Sequence, residues 1–160
     1  MPPSWIGVTP TPYGPVLIQQ GMPPPYRDYQ MNRVLTPEEV LAKDDKRISK
    51  ELWRWFEQAD VLIGHNILNF DLPKAQTRFL IHKLNPPSPF QVIDTYLIAK
   101  KNFRFGSNKL DYIGQMIAND KKIKTEYQLW LRCLAGDKES LDFMSTYNHQ
   151  DVLLLEECYV

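Results

Sequence analysis

From Val61 onward, apolar positions alternate between short runs and helical repeats. Val61-Leu62-Ile63-Gly64 is an apolar run closed by glycine, which reads as a buried strand. Leu72, Ala75, Phe79 and Leu80 recur at helical spacing, so a helix follows, stopped by Asn85-Pro86-Pro87. Phe90-Gln91-Val92-Ile93 predicts another strand, and Asp94-Thr95 opens a helix from Tyr96 to Lys100. Ser107 caps a helix holding Leu110, Ile113 and Ile117, and the rest of the chain reads as helical. Strand–helix–strand–helix with short links predicts parallel strands in an α/β sheet.

Upstream the pattern differs. Ile48, Leu52, Trp55, Phe56 and Ala59 mark a helix, and Thr36-Pro37-Glu38-Glu39 before it is a helix start with a capping Thr. Nine of the thirteen prolines fall in the first 37 residues. Only Val16-Leu17-Ile18-Gln19, and less clearly Trp5-Ile6-Gly7-Val8, read as strands there. The expected organisation is a proline-rich segment over 1–36 and one α/β domain over 37–160.

Composition adds exclusions. A chain of 160 residues is one domain's length, and 43% hydrophobic with 24% charged residues argues against wholesale disorder. Nineteen basic and nineteen acidic side chains exclude a polycation. No apolar run reaches the roughly 18 residues of a membrane span, and Met-Pro-Pro-Ser-Trp lacks the features of a secretory signal. The expectation is a soluble, intracellular, cytoplasmic protein with no membrane partner. Cys133 and Cys158 form neither a disulfide framework nor a metal pattern and read as core thiols. Charge is segregated: residues 100–124 carry net +5 and residues 137–160 carry net −5.

The last helix contains an anomaly. Met144, Tyr147, Leu154, Leu155 and Cys158 share one face, and Asp151 sits in the middle of it. A carboxylate on an apolar stripe costs several kcal/mol unless a cation or strong donors compensate it. It is either a satisfied buried Asp or a metal ligand with a tyrosine hydroxyl one turn away. His149, Gln150, Glu156 and Glu157 fall on the other side, where water is expected. His65-Asn66-Ile67-Leu68-Asn69-Phe70-Asp71 follows the first buried strand, and ligands in α/β sheets collect at the carboxyl ends of strands. Asp71, with Pro73 in the first turn, also reads as an N-cap, and Asp94 reads as a cap.

Together, His-Asn-(x)3-Phe-Asp after a buried strand, Val-Ile-Asp-Thr, and Tyr-Asn-His-Gln-Asp on a late helix resemble the DEDD exonucleases. The resemblance is to the ribonuclease H-like 3′–5′ exonucleases found in phages and beside DNA polymerases. It covers about residues 48–160, and Lys101 to Gly114 is similar to that subgroup too. Tyr147, four residues before Asp151, matches the tyrosine subclass. The resemblance implies a ribonuclease H-like fold and hydrolysis of single-stranded DNA or RNA 3′ ends, with DNA favoured. It implies two ions, Mg²⁺ or Mn²⁺, about 4 Å apart on the scissile phosphate, held by hard carboxylate oxygens. By the same resemblance Asp71 and Asp151 are metal ligands and Tyr147 orients the attacking water. Asn66 holds the loop or the terminal nucleotide, His65 supports the loop, and a polymerase or upstream domain is an implied partner.

One departure stands out. The family's first motif, Asp-x-Glu on the central strand, supplies two of four acidic ligands, and nothing before Val61 has it. The chain's single Asp-x-Glu, Asp137-Lys138-Glu139, follows Gly136 and reads as a turn and cap. A sheet without its central strand exposes unpaired backbone groups. Either a longer exonuclease is truncated or alternatively started here, or Val16–Gln19 or a partner chain fills the gap. The alternative function is an impaired exonuclease fold that only binds nucleic acid or a partner protein.

Lys100-Lys101-Asn102-Phe103-Arg104-Phe105 interleaves bases with aromatics, as a groove that tracks phosphates and stacks bases would. The plain alternative is a helix end with a solvated charge run. With the resemblance, Lys101, Phe103, Arg104, Phe105 and Lys109 become candidate nucleic-acid contacts. Lys121-Lys122-Ile123-Lys124 reads as plain surface.

Overall fold

The computed structural model describes residues Val16–Ile18, 35–117 and 126–159. Trp5–Val8, Lys121–Lys124 and the side chain of His149 lie outside the described residues. The element order is β1 (Val16–Ile18), α1 (Pro37–Ala42), α2 (Lys46–Gln58), β2 (Val61–Gly64), α3 (Asp71–Ile81), β3 (Gln91–Asp94), α4 (Thr95–Asn102), α5 (Leu110–Ile117), α6 (Tyr127–Leu134) and α7 (Lys138–Tyr159).

The sheet has the order β1-β2-β3. β2 and β3 are parallel, with Leu62 opposite Val92 and Gly64 opposite Asp94. The connection between them runs through α3, which parallel pairing requires. β1 pairs with the other edge of β2 in antiparallel sense, Val16 opposite Ile63 and Ile18 opposite Val61. The place beside β2 is therefore taken by a three-residue strand. It satisfies the backbone of β2 but carries no acidic residue.

β2 is buried on both faces, with Leu62 and Ile63 at 0% and 3% exposure, as its unbroken apolar run requires. Leu62 joins Phe56, Ala59, Ile67, Ala75 and Phe79 in the cluster beneath α2 and α3. The Phe56 ring meets Phe79 and Phe90 edge-on, with centroids 5.4 and 5.5 Å apart. A second cluster joins Leu35 and Val40 to Leu129, Cys133, Leu141, Met144 and Tyr147. A third packs Leu110 against Val152, Leu154 and Leu155. Helix α7 thus lies against α5, α6 and β1. Its approach to α5 is close at Gly114, where an added Cβ would lie 2.5 Å from Leu154 Cδ1.

The helix starts follow the sequence. Thr36 and Glu39 form a reciprocal capping box at α1. Asp137 accepts from Ser140 N–H at 2.9 Å, which makes Asp137-Lys138-Glu139 a turn and cap as expected. Two expectations need correction. α3 ends at Ile81, well before Asn85-Pro86-Pro87, and Leu80 is 77% exposed. Lys83 adopts φ 57 and donates to Leu80 O, while Leu84 N–H returns to Phe79 O. Leu84 packs into the α2–α3 cluster, the apolar contact that accompanies this left-handed termination. Ile117 is likewise exposed, at the end of α5, rather than part of the core.

Candidate active site

The carboxyl ends of β2 and β3 lie side by side, Gly64 opposite Asp94, and the loop of residues 65–70 leaves from there. Asp94 organises that loop. Its Oδ1 accepts from Asn66 N–H at 2.9 Å and its Oδ2 from Leu68 N–H at 3.2 Å. Oδ1 also caps α4 by accepting from Tyr96 and Leu97 N–H at 3.0 and 3.4 Å. The cap was legible in Ile93-Asp94-Thr95; the tie to the loop 26 and 28 residues upstream was not.

Asn66 takes the left-handed backbone at φ 64, which an Asn side chain tolerates better than most. Its Oδ1 accepts from Asn69 Nδ2 at 3.1 Å, so the loop closes on itself. Gly64 is required for another reason. An added Cβ would sit 2.6 Å from Ile67 Cβ, and Ile67 is fully buried. Gly64→Ala is therefore expected to cost about 1–3 kcal/mol of stability through overpacking, visible as a lower thermal midpoint. A midpoint equal to wild type would mean that the loop can move off the strand end without cost.

His65 is 1% exposed, and both ring nitrogens are engaged. Nε2 lies 2.7 Å from Asn108 O, a carbonyl that can only accept, so the ring proton is assigned to Nε2. Nδ1 then accepts from the Thr95 hydroxyl at 2.9 Å. The ring also meets Tyr96 edge-on at 5.5 Å. Burial lowers the imidazole pKa against the opposing effects of Asn108 O, Asp94 and Asp111, so the ring is neutral near pH 7. This is a loop support and not a metal ligand, because no nitrogen lone pair is left to point at an ion.

Asp71 is the unusual group. It occupies the first turn of α3, but the N-cap is Phe70, and no side-chain capping bond is made. The N-cap expectation is thus corrected: Asp71 lies one residue too far along the helix to cap it. It is 6% exposed, and beyond its own backbone N–H neither carboxylate oxygen has a hydrogen-bond partner. Burial pushes its pKa from an ordinary 3.8 up to about 7. Its own backbone N–H and the Lys74 charge lower it, and the Asp94 charge raises it further. Lys74 does not pair with it; its ammonium sits over the Phe70 ring, 3.5 Å from the centroid. A buried carboxylate with no partner from any other residue is costly on its own. A hard divalent cation is the partner whose chemistry fits it.

Tyr147 and Asp151 lie one turn apart on the buried side of α7, each 3% exposed, with Met144, Leu154 and Leu155. The mixed face read from the sequence is therefore a packed face. Gln150 and Glu157 are exposed as expected, and Glu156 is intermediate. Cys133 is buried, while Cys158 is only partly so.

The structure brings Asp71, Asn66, Asp94 and His65 together at the strand ends. Among the described residues it does not gather three or more His, Cys, Asp or Glu side chains into a metal centre. Asp71 and Asp151 each have the donor chemistry that suits a hard cation, and among the described residues neither belongs to a cluster of three or more such ligands. Lys101, Phe103, Arg104 and Lys109 are exposed on the segment after α4, and Phe105 is half-buried. Asn108 in that segment, missed by the sequence reading, receives the His65 bond. No helix among the described residues is long and apolar enough to cross a membrane.

A second buried polar group lies away from this site and was not expected. Asp45, 1% exposed, accepts from Arg78 Nε and Nη2, each at 2.5 Å, from Ser49 Oγ at 3.2 Å, and from His82 Nε2 at 2.8 Å. Arg78 in the last turn of α3 and its C-cap His82 are one turn apart, and that spacing is the only trace of the network in the sequence.

A family model described as RNase_H superfamily matches residues 27–160. No curated protein and no solved structure matches the chain.

Proposed function

The chain belongs to the RNase H superfamily, and from that premise we propose that it is a metal-dependent 3′–5′ exonuclease of the DEDD tyrosine type. Its substrate on this reading is a single-stranded 3′ end, DNA rather than RNA. The observation that carries the reading is Asp71: a buried carboxylate in the first turn of α3, after the loop that leaves β2, with no partner from any other residue and a pKa of about 7. Stability alone gives no reason for such a group, and perturbed carboxylates of this kind cluster at functional sites.

Asp71 and Asp151 are the residues that would hold Mg²⁺ or Mn²⁺. Bound there, the ions supply charge neutralisation on the scissile phosphate and a more acidic attacking water. The remaining work falls to the chain. Asp94 and His65 fix the loop so that Asp71 enters α3 at one position. The Tyr147 hydroxyl, one turn before Asp151, orients the attacking water. Asp71 must lose its proton to act as a ligand, so activity should rise with pH through about 7 in weakly binding metal.

A second reading is a nucleic-acid-binding domain without catalysis. It is favoured by the missing Asp-x-Glu motif and by the absence of a three-ligand cluster among the described residues. The test uses a 5′-labelled single-stranded oligonucleotide with Mn²⁺. Wild type should shorten it stepwise from the 3′ end, Asp151→Ala should abolish this by a hundredfold or more while keeping a cooperative melt, and Tyr147→Phe should slow it. Equal cleavage by Asp151→Ala would reject the assignment, and no cleavage by folded wild type would favour the binding domain.

A further inference from the structure

We propose that Phe103 and Phe105 form a stacking platform for an unpaired base, and that it selects single-stranded nucleic acid. The proposal deepens the nuclease reading and rests on it for the direction in which the strand runs. The two rings stack with centroids 5.3 Å apart and an interplanar angle of 30°. Phe103 is 53% exposed, whereas Phe105 is half-buried. The outer ring is thus backed by an inner one and held open to solvent. Single exposed apolar residues are ordinary on protein surfaces; a backed aromatic face is the shape a nucleobase stacks on.

Charge points the same way. Residues 100–109 contain Lys100, Lys101, Arg104 and Lys109 and no acid. Lys100 and Lys101 lie in the last turn of α4, where the helix carbonyl end favours cations. Arg104 and Lys109 lie beyond the helix and have no such role. None of the four forms an ion pair among the described residues. Free cations flanking an open aromatic face suit a phosphate backbone whose bases are exposed. A duplex buries its base faces in its own stack and offers only edges, so it cannot use this platform.

The platform is tied to the candidate active site. Asn108 O accepts from His65 Nε2 at 2.7 Å, and His65 directly follows β2. Phe105 is three residues before Asn108, which keeps its Cα within about 11 Å of that anchor. A strand stacked on Phe103 therefore lies close to the loop that leads to Asp71.

The test is equilibrium binding of a fluorescein-labelled twelve-nucleotide thymidine strand to the full chain in EDTA, read by anisotropy. Phe103→Ala is expected to weaken binding about tenfold, and Phe103→Trp to restore it. An unaltered thermal melt of Phe103→Ala, an exposed position, shows that the fold is intact. A strand with abasic sugars in place of bases should bind wild type and Phe103→Ala equally, because only the phosphates remain. Equal affinity of wild type and Phe103→Ala for the thymidine strand overturns the platform. So does no binding of either at low salt, which would assign the ring pair to a protein partner. Cleavage is scored separately with Mn²⁺. Binding that depends on Phe103 without any cleavage would sink the nuclease reading and keep the platform; cleavage without that dependence would do the reverse.

Discussion

Asp71→Asn is expected to stabilise the metal-free protein at pH 8 while removing its metal-dependent nuclease activity. In the folded chain the Asp71 carboxyl has a pKa of about 7, raised from 3.8 mainly by burial. A raised carboxyl means that the folded state holds a proton which the unfolded state has released. Stability from this group is therefore complete below about pH 4, falls as pH rises toward 7, and is lowest above it. The rise from 3.8 to about 7, at about 1.4 kcal/mol per pH unit, amounts to on the order of 4 kcal/mol. Asn has the same shape and cannot ionise, so it avoids that loss. Urea unfolding at pH 4 and pH 8 would read the effect: the variant should match wild type at pH 4 and exceed it at pH 8. Added Mn²⁺ should raise the midpoint of wild type and leave that of the variant nearly unmoved. A variant less stable than wild type at pH 8 would show that Asp71 has a structural role and remove the observation that carries the nuclease reading.

Arg78→Ala is expected to cost about 3–5 kcal/mol, because it leaves the Asp45 carboxylate buried without its bidentate partner. That is a large part of the 5–15 kcal/mol that a domain usually has in total, so partial unfolding at 37 °C is the expected appearance. Burial acts to raise the Asp45 pKa, but hydrogen bonds from Arg78 and His82 outweigh it, and the carboxyl lies below its ordinary range. A depressed carboxyl contributes stability above about pH 4 that is lost as pH falls through the folded value. Asp45 and Asp71 therefore slope in opposite directions with pH. The double change Asp45→Leu with Arg78→Leu should recover much of the loss, since it removes the buried charges together. A double variant as unstable as Arg78→Ala would mean that the side chains matter for packing rather than charge.

The two strands and the helices after them were legible because their signals are local. Val61–Gly64 is apolar on both faces, Asp94 caps α4 through its own neighbours, and Thr36 and Glu39 sit at the spacing of a capping box. The packed face of α7, including Tyr147 and Asp151, followed from the helical repeat alone. The end of α3 does not follow from Pro86 and Pro87, because prolines are visible in a sequence, whereas a lysine in left-handed backbone is not. There the packing of Leu84 beneath the helix stops it early.

The sequence by itself determined where β2, β3 and most helix starts fall, and that Asp151 lies on the apolar face of α7. Each of those depends on periodicity or on neighbours a few residues away. Only the tertiary structure decided that Asp71 is unsatisfied rather than a cap, that Asp94 holds a loop 26 residues upstream, and that Asp45 meets Arg78 and His82. It also decided that β1 covers the open edge of β2 in antiparallel sense. Burial and long-range hydrogen bonds are properties of what surrounds a group in space, and a carboxylate's pKa follows from that surrounding rather than from its place in the chain.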